Sequence, residues 1–177
     1  MPALPIVIAP DERLITRANE ITDINDKVKE LVNNMFQTMY KADGLGLAAV
    51  QVGAMERVFV MDIQSEKDEL AGYESTGKFC MINPEITELS DEKVIMKEGC
   101  LSIPEQSYEI ERPRYLTVKY QDINSEEHTL KASGWLARCI QHELDHLNGI
   151  LYIRHLSKLK YDMAMKKAQK VKKHYEQ

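Results

Sequence analysis

The sequence predicts an α+β fold, with mostly antiparallel sheets around a central helix, a helix near the N-terminus and a long helix at the C-terminus. Three observations predict it. Helical hydrophobic spacing runs to about residue 42, short β-rich runs broken by turn residues fill 45 to about 133, and helical texture then returns. Helix, then strands, then helices is the order of an α+β chain, not of an alternating α/β one.

Residues 24–42 carry Ile24, Val28, Leu31, Val32, Met35, Met39 and Tyr40 at helical spacing. Asp23 or Asn25 can cap the start, and Gly44 follows the end. The strand candidates are Arg57–Ile63, Phe79–Ile82, Glu85–Leu89, Lys93–Met96, Tyr115–Tyr120 and His128–Ala132. Residues 64–78, rich in Ser, Lys, Glu and Gly, read as an exposed loop. A helix starting at Ser133 or Gly134 runs through Trp135, Cys139, His142 and His146 and stops at Gly149. A last helix of about twenty residues spans Ser157 to Tyr175.

The chain has 177 residues, with no internal repeat and no low-complexity linker, so a single domain, 1–177, is expected. No run approaches the eighteen or so apolar residues that would span a bilayer, which excludes a membrane-spanning helix. The apolar start lacks a basic n-region and is broken by Pro2, Pro5 and Pro10, so cytoplasmic residence is the expectation. Cys80, Cys100 and Cys139 are odd in number and read as reduced thiols, one of them available to a metal. The net charge of −5 conceals an asymmetry: residues 154–177 hold one Arg and seven Lys against Asp162 and Glu176, which is +6, leaving −11 for the rest.

The most informative stretch is Gln141–Gly149, which contains His142-Glu143-x-x-His146. At 3.6 residues per turn the two histidines share one helical face and can chelate one ion, with Glu143 beside them as a proton carrier. A catalytic ion usually takes three protein ligands, so one more must come from another element. Cys100, in Glu98-Gly99-Cys100-Leu101-Ser102, is the best candidate; a buried, inert cysteine is the alternative. Cys139 competes poorly because it lies one turn before His142 on the same helix. A third segment, Gly44-Leu45-Gly46-Leu47-Ala48-Ala49-Val50-Gln51, lacks the Gly-Lys-Ser/Thr of a phosphate cradle. It reads as a backbone-exposing loop that runs into a strand, with the Gln51 amide placed to polarise a carbonyl or merely to satisfy a turn.

Together the three segments resemble the peptide deformylase family. Its G-x-G-x-A-A-x-Q, E-G-C-x-S and Q-H-E-x-D-H-L-x-G motifs stand complete, in that order, as Gly44–Gln51, Glu98–Ser102 and Gln141–Gly149. The likeness extends from near Pro10 into the last helix, and Glu98-Gly99-Cys100 with a long C-terminal helix is similar to the bacterial type 1 members. One departure is Ser107, where some members place an arginine at the substrate rim.

The resemblance implies a single catalytic domain that hydrolyses the formyl group from N-formylmethionyl nascent peptides. It implies Cys100, His142 and His146 as ligands of one divalent ion, ferrous iron in the cell, replaceable by zinc, nickel or cobalt. Glu143 becomes the proton carrier, while Gln51 and the Leu101 backbone N–H become the stabilisers of the charged oxygen. Gly46 and its neighbours pair with the substrate backbone as an added strand, Gly99 also lies along the substrate, and Leu45 closes the wall of the methionine pocket opposite the helix.

Helix geometry puts Cys139, Arg138 and Trp135 on the face of His142, where they line a methionine pocket or, for Trp135 and Cys139, simply pack the core. Arg138 could equally turn its head group to solvent. A zinc endopeptidase, with His155 as third ligand, is the rival enzyme reading; an inactive ribosome-binding protein using the basic tail is the rival of another class. A monomer that meets the ribosome through its C-terminal helix, and no membrane, completes the expectation.

Overall fold

A strand buried along its whole length needs cover on both faces, and Val58–Ile63 (β2) is such a strand. In the computed structural model, which describes residues 2–63 and 76–177, that cover is two helices. Side chains alternate across a strand. Val58 and Val60 therefore pack with Val28, Val32, Met35, Phe36 and Met39 of α1 (Asp26–Lys41), while Phe59, Met61 and Ile63 pack with Ala137, Ile140, Leu144 and Leu147 of α2 (Gly134–Leu147). The sheet is thus the middle layer of a sandwich.

The other strands are β1 (Gly46–Ala48), β3 (Gly77–Leu89), β4 (Lys93–Cys100), β5 (Ile103–Pro113), β6 (Tyr115–Gln121) and β7 (Glu127–Ser133). Antiparallel pairing gives a five-stranded sheet in the order β1-β2-β3-β6-β7 and a separate hairpin of β4 and β5. A third cluster joins that hairpin to the N-terminal segment and to α3 (Lys158–Tyr175), through Val7, Leu14, Ile103, Ile110, Tyr152, Ala164 and Ala168.

The helices lie where the sequence puts them. Asn25, not Asp23, caps α1, its side chain accepting from the N–H groups of Lys27 and Val28. Ser157 caps α3 by accepting from Lys160 N–H. Three strand expectations need correction. Phe79–Ile82 and Glu85–Leu89 are one strand, β3, with register shifts against β6 where two were expected. The strand expected over Lys93–Met96 continues to Cys100. All of β5 was missed, although its residues alternate: Gln106, Tyr108, Ile110 and Arg112 face inward while Glu105, Ser107, Glu109 and Glu111 are exposed. Polar residues at inward positions hide the period. Of the expected loop 64–78, residues 64–75 lie outside the described residues, and Gly77 and Lys78 open β3.

Gly149 ends α2 with φ of 74°, and a Cβ there would sit 2.7 Å from the Ile15 carbonyl carbon. Gly149→Ala should therefore lower stability by about 1–3 kcal/mol, from strain and clash together. Urea denaturation measures it, and an unchanged midpoint would refute the packing argument.

Candidate metal centre and active site

Two elements bring together three metal-ligating side chains. α2 places His142 and His146 one turn apart, with ring centroids 5.1 Å from each other. Period-two alternation along β4 turns Val94, Met96, Glu98 and Cys100 to the inner face, so Cys100 is delivered to the helix from the strand end. Cys100 Sγ lies 3.2 Å from His146 Nε2, and the ligand atoms of Cys100, His142 and His146 all lie within 4.8 Å of one another. One sulfur and two imidazole nitrogens, held this close, fit a divalent transition metal and leave a position for water. Cys139 is not in this cluster; burial, followed by the neighbouring Glu143 and Glu98 charges, pushes its thiol far up and keeps it protonated.

Glu98 fixes the orientation of His142. Its Oε1 lies 2.8 Å from His142 Nδ1, which assigns the proton to Nδ1 and leaves the Nε2 lone pair free for a metal. Burial alone would raise the carboxyl of Glu98. Hydrogen bonds from His142 and Arg112, with the Arg112 charge, outweigh burial and hold it far below the ordinary carboxylate range. Arg112 grips both oxygens, Nε to Oε2 at 2.7 Å and Nη2 to Oε1 at 3.0 Å, and Arg138 Nη1 adds a contact to Oε2 at 2.6 Å. In the metal-free protein, burial would lower the His142 imidazole, but bonds to Cys100 and Glu98 push it up to about 10; His146, governed by burial, stays well below its usual value.

Glu143 is buried beside this cluster, and its Oε2 has no hydrogen-bond partner among the described residues. Burial pushes its carboxyl up to about 7, only partly opposed by the His142 charge. A carboxyl near neutrality can take a proton and return it. Gly46 lies against it: a Cβ there would come within 2.8 Å of Glu143 Oε1. Gln51 is oriented by its own loop. Its Oε1 accepts from Ala48 N–H at 2.9 Å, so the amide nitrogen must face the other way, 3.2 Å from Ser102 Oγ and 3.7 Å from Cys100 Sγ.

A cavity of about 1250 Å³ opens over these groups. Leu45, Gly46, Gln51, Gly99, Cys100, Leu101, Trp135, Arg138, Cys139, His142 and Glu143 all reach its wall, with His146 buried behind. Leu45 is 41% exposed at the rim. β1 is an edge strand there: among the described residues it pairs with β2 alone. The solvent-facing alternative for Arg138 is overturned. Its side chain is 2% exposed and its head group donates to Glu98, to Ile110 O and to Val94 O, tying α2 to both strands of the hairpin. His155, the third ligand of the endopeptidase reading, lies outside the metal cluster and bonds Asp145 Oδ2 at 2.8 Å. Ser107 is exposed on β5 opposite Gly99.

Sequence reasoning gave no role to Glu98, Ser102, Arg112 or Asp145. Glu98 and Ser102 stand inside a motif, and Asp145 inside another, so a signal existed for these three. Arg112 stands outside every motif, and only the pairing of β4 with β5 brings it opposite Val94 and beneath Glu98.

A buried glutamate beside a cysteine–histidine–histidine cluster, at the edge of a sheet, defines a candidate mononuclear metallohydrolase centre in an α+β fold. A family model described as Polypeptide deformylase matches residues 3–162. A peptide deformylase of Wolbachia pipientis wMel is 83% identical over 179 aligned positions, covering 100% of both chains, and peptide deformylase 1 of Rickettsia conorii is 45% identical, covering 97% of this chain and 98% of its own. The crystal structure of the Ehrlichia chaffeensis peptide deformylase in complex with actinonin aligns with a TM-score of 0.89 at 47% identity, over 96% of this chain and 98% of that one. The chain belongs to the polypeptide deformylase family. It is a hydrolase that removes the formyl group from the N-terminus of newly made polypeptides.

Gly46→Ala should reduce kcat at least tenfold while the metal is retained, because the added methyl displaces Glu143 without touching a ligand; metal analysis with a formate-release assay reads both. A pH test follows from Glu143. Its raised pKa favours the protonated folded state fully below pH 4.5, and that stabilisation is lost as pH rises through about 7. Metal-free Glu143→Gln should lose less stability across this window than the unsubstituted metal-free protein, and parallel denaturation profiles would contradict the assignment.

Proposed function

We propose that residues 1–177 form one catalytic domain in which Cys100, His142 and His146 hold a divalent ion, ferrous iron in the cell, with zinc, nickel or cobalt able to replace it. When bound, the ion supplies Lewis-acid chemistry, polarising the formyl carbonyl and making a water acidic enough to act near neutral pH. Glu143 Oε2 takes the proton of the attacking water and delivers it to the departing amine nitrogen, releasing formate. The Gln51 amide N–H and the Leu101 backbone N–H donate to the formyl oxygen as it gains charge. The observation that carries this reading is the meeting of all three motifs at one cavity, with Gly46 pressed against the buried Glu143.

The substrate is the N-formylmethionyl end of a nascent chain. Its backbone lies along the open edge of β1 at Leu45 and Gly46, opposite Gly99, and the methionine side chain enters beside Trp135 and Cys139. The aliphatic stem of Arg138 contributes wall there, since its charged end is spent on Glu98. Actinonin, present in the Ehrlichia chaffeensis complex, should bind this chain in competition with the formyl peptide.

α3 supports ribosome docking by a monomeric, cytoplasmic enzyme. Lys158, Lys160, Lys166, Lys170 and Lys173 are exposed on it, whereas Lys167 and Lys172 are tied to the backbone oxygens of Glu105 and Pro10. Exposed lysines attract ribosomal RNA through counterion release, which keeps the site near the emerging chain. No helix among the described residues is long and apolar enough to cross a membrane.

Formyl-Met-Ala-Ser should be hydrolysed and an unformylated internal peptide left intact. Cys100→Ala, His142→Ala or His146→Ala should each lose the metal and the activity. Glu143→Ala should keep the metal and lose about 10²–10⁴-fold in turnover, while Gln51→Ala lowers kcat more than it raises KM. Stoichiometric metal with near-normal turnover in Cys100→Ala would sink the ligand assignment. Replacing the exposed Lys158, Lys160, Lys166, Lys170 and Lys173 by Glu should weaken salt-sensitive ribosome co-sedimentation yet spare activity on short formyl peptides; unchanged co-sedimentation would return α3 to a solubilising helix.

A further inference from the structure

A line of hydrogen-bonded side chains leads from solvent at His155 to the His142 imidazole. His155, in the short 3-10 turn Tyr152–His155, is 37% exposed and its Nε2 lies 2.8 Å from Asp145 Oδ2. The same oxygen accepts from Arg112 Nη1 at 2.8 Å. Arg112 is 3% exposed and spends its Nε and Nη2 on the two oxygens of Glu98, whose Oε1 meets His142 Nδ1. Four separate elements supply the five residues: β4 gives Glu98, β5 gives Arg112, α2 gives Asp145 and His142, and the turn gives His155.

We propose that Arg112, Asp145 and His155 are positioning residues that set the metal-binding strength of His142 through Glu98. This rests on His142 being a metal ligand, as argued above. The geometry supplies the mechanism. One carboxylate oxygen, Asp145 Oδ2, is divided between His155 and Arg112, so a stronger claim by residue 155 leaves more of the guanidinium charge to Glu98. A Glu98 neutralised more fully by Arg112 draws less on the Nδ1–H of His142, and Nε2 becomes a weaker electron donor. Loss of the planar fork has a larger effect. An ammonium cannot grip both oxygens of Glu98 and reach Asp145 as well, so the carboxylate is no longer held in the plane that orients the ring.

The test uses full-length protein loaded with cobalt(II), comparing the unsubstituted chain with Arg112→Lys, His155→Lys and His155→Gln. Competition with a chelator gives the metal dissociation constant, visible absorption reports the cobalt environment, and formyl-Met-Ala-Ser gives kcat and KM. Arg112→Lys should weaken metal binding by about 10–100-fold, shift the cobalt absorption and lower kcat more than it raises KM. His155→Lys should act in the same direction by about threefold, the smaller effect of a partly exposed and screened charge, with its unfolding midpoint unchanged. His155→Gln, which keeps a neutral donor to Asp145, should bind cobalt as the unsubstituted chain does.

Unaltered cobalt affinity and absorption in both lysine variants, with only a lowered unfolding midpoint in Arg112→Lys, would make Arg112 a structural tie and overturn the relay. Should Arg112→Lys not fold, His155→Lys decides alone, and unaltered affinity there overturns it equally. Failure of the unsubstituted chain to bind cobalt, or full affinity in His142→Ala, would overturn the metal site and the relay together. Cobalt binding by the unsubstituted chain that is lost in His142→Ala, with unaltered lysine variants, overturns the relay alone.

Discussion

One carboxylate governs the arrangement of this protein. Glu98 is withdrawn from water and remains ionised, a state that costs several kcal/mol unless every lone pair finds a strong donor. Four donors from three residues meet that demand: Arg112 twice, Arg138 and His142. Each donor sits on a different element from Glu98, so satisfying the charge clamps the β4–β5 hairpin to α2. Cys100 is two residues along the same strand and His142 is on the clamped helix. The relation between the sulfur and the imidazoles is therefore set by the same contacts that make burial of Glu98 tolerable.

A second constraint acts on the other wall of the cavity. The loop that ends β1 folds so that Ala48 N–H holds Gln51 Oε1, and the N-terminal segment then fixes this loop and the Ser102 turn from behind. Val7 N–H donates to Gln51 O at 2.8 Å and Ala9 N–H donates to Ser102 O at 2.9 Å. Lys172 on α3 in turn holds Pro10 O at 2.8 Å. Backbone tethers of this kind position a donor without placing a charge in the site, which is what the oxyanion role proposed for Gln51 requires. Gly46 contributes by having no side chain: the edge of β1 and the buried Glu143 can then face one another directly.

Electrostatics divides the two glutamates beside the Cys100, His142 and His146 cluster. Both are buried, yet Glu98 is held ionised by the cations bonded to it, while for Glu143 burial outweighs the nearby His142 and Arg112 charges and carries it up towards neutrality. The first can only hold and orient. The second can exchange a proton. Environment, not residue type, assigns the two tasks.

The sequence alone determined the helices, the three motifs, the likeness they carry and the order of the chain, because those signals are local. Helical period and caps mark α1 and α3 within a few residues, and His142 with His146 share a helical face whatever surrounds them. β5 was not legible. Its inward positions hold Gln106, Tyr108 and Arg112, whose polarity is tolerable only once partners are in place: Glu98 and Asp145 of α2 for Arg112, and for Gln106 the Ala164 carbonyl of α3 and the Tyr108 hydroxyl. The same holds for Arg138, which could be read as a surface cation or as pocket wall until its three acceptors on β4 and β5 were in place. Local periodicity fixes where a side chain projects from its own element. Whether a buried charge is permitted there depends on partners distant in the chain, and that only the tertiary structure decided.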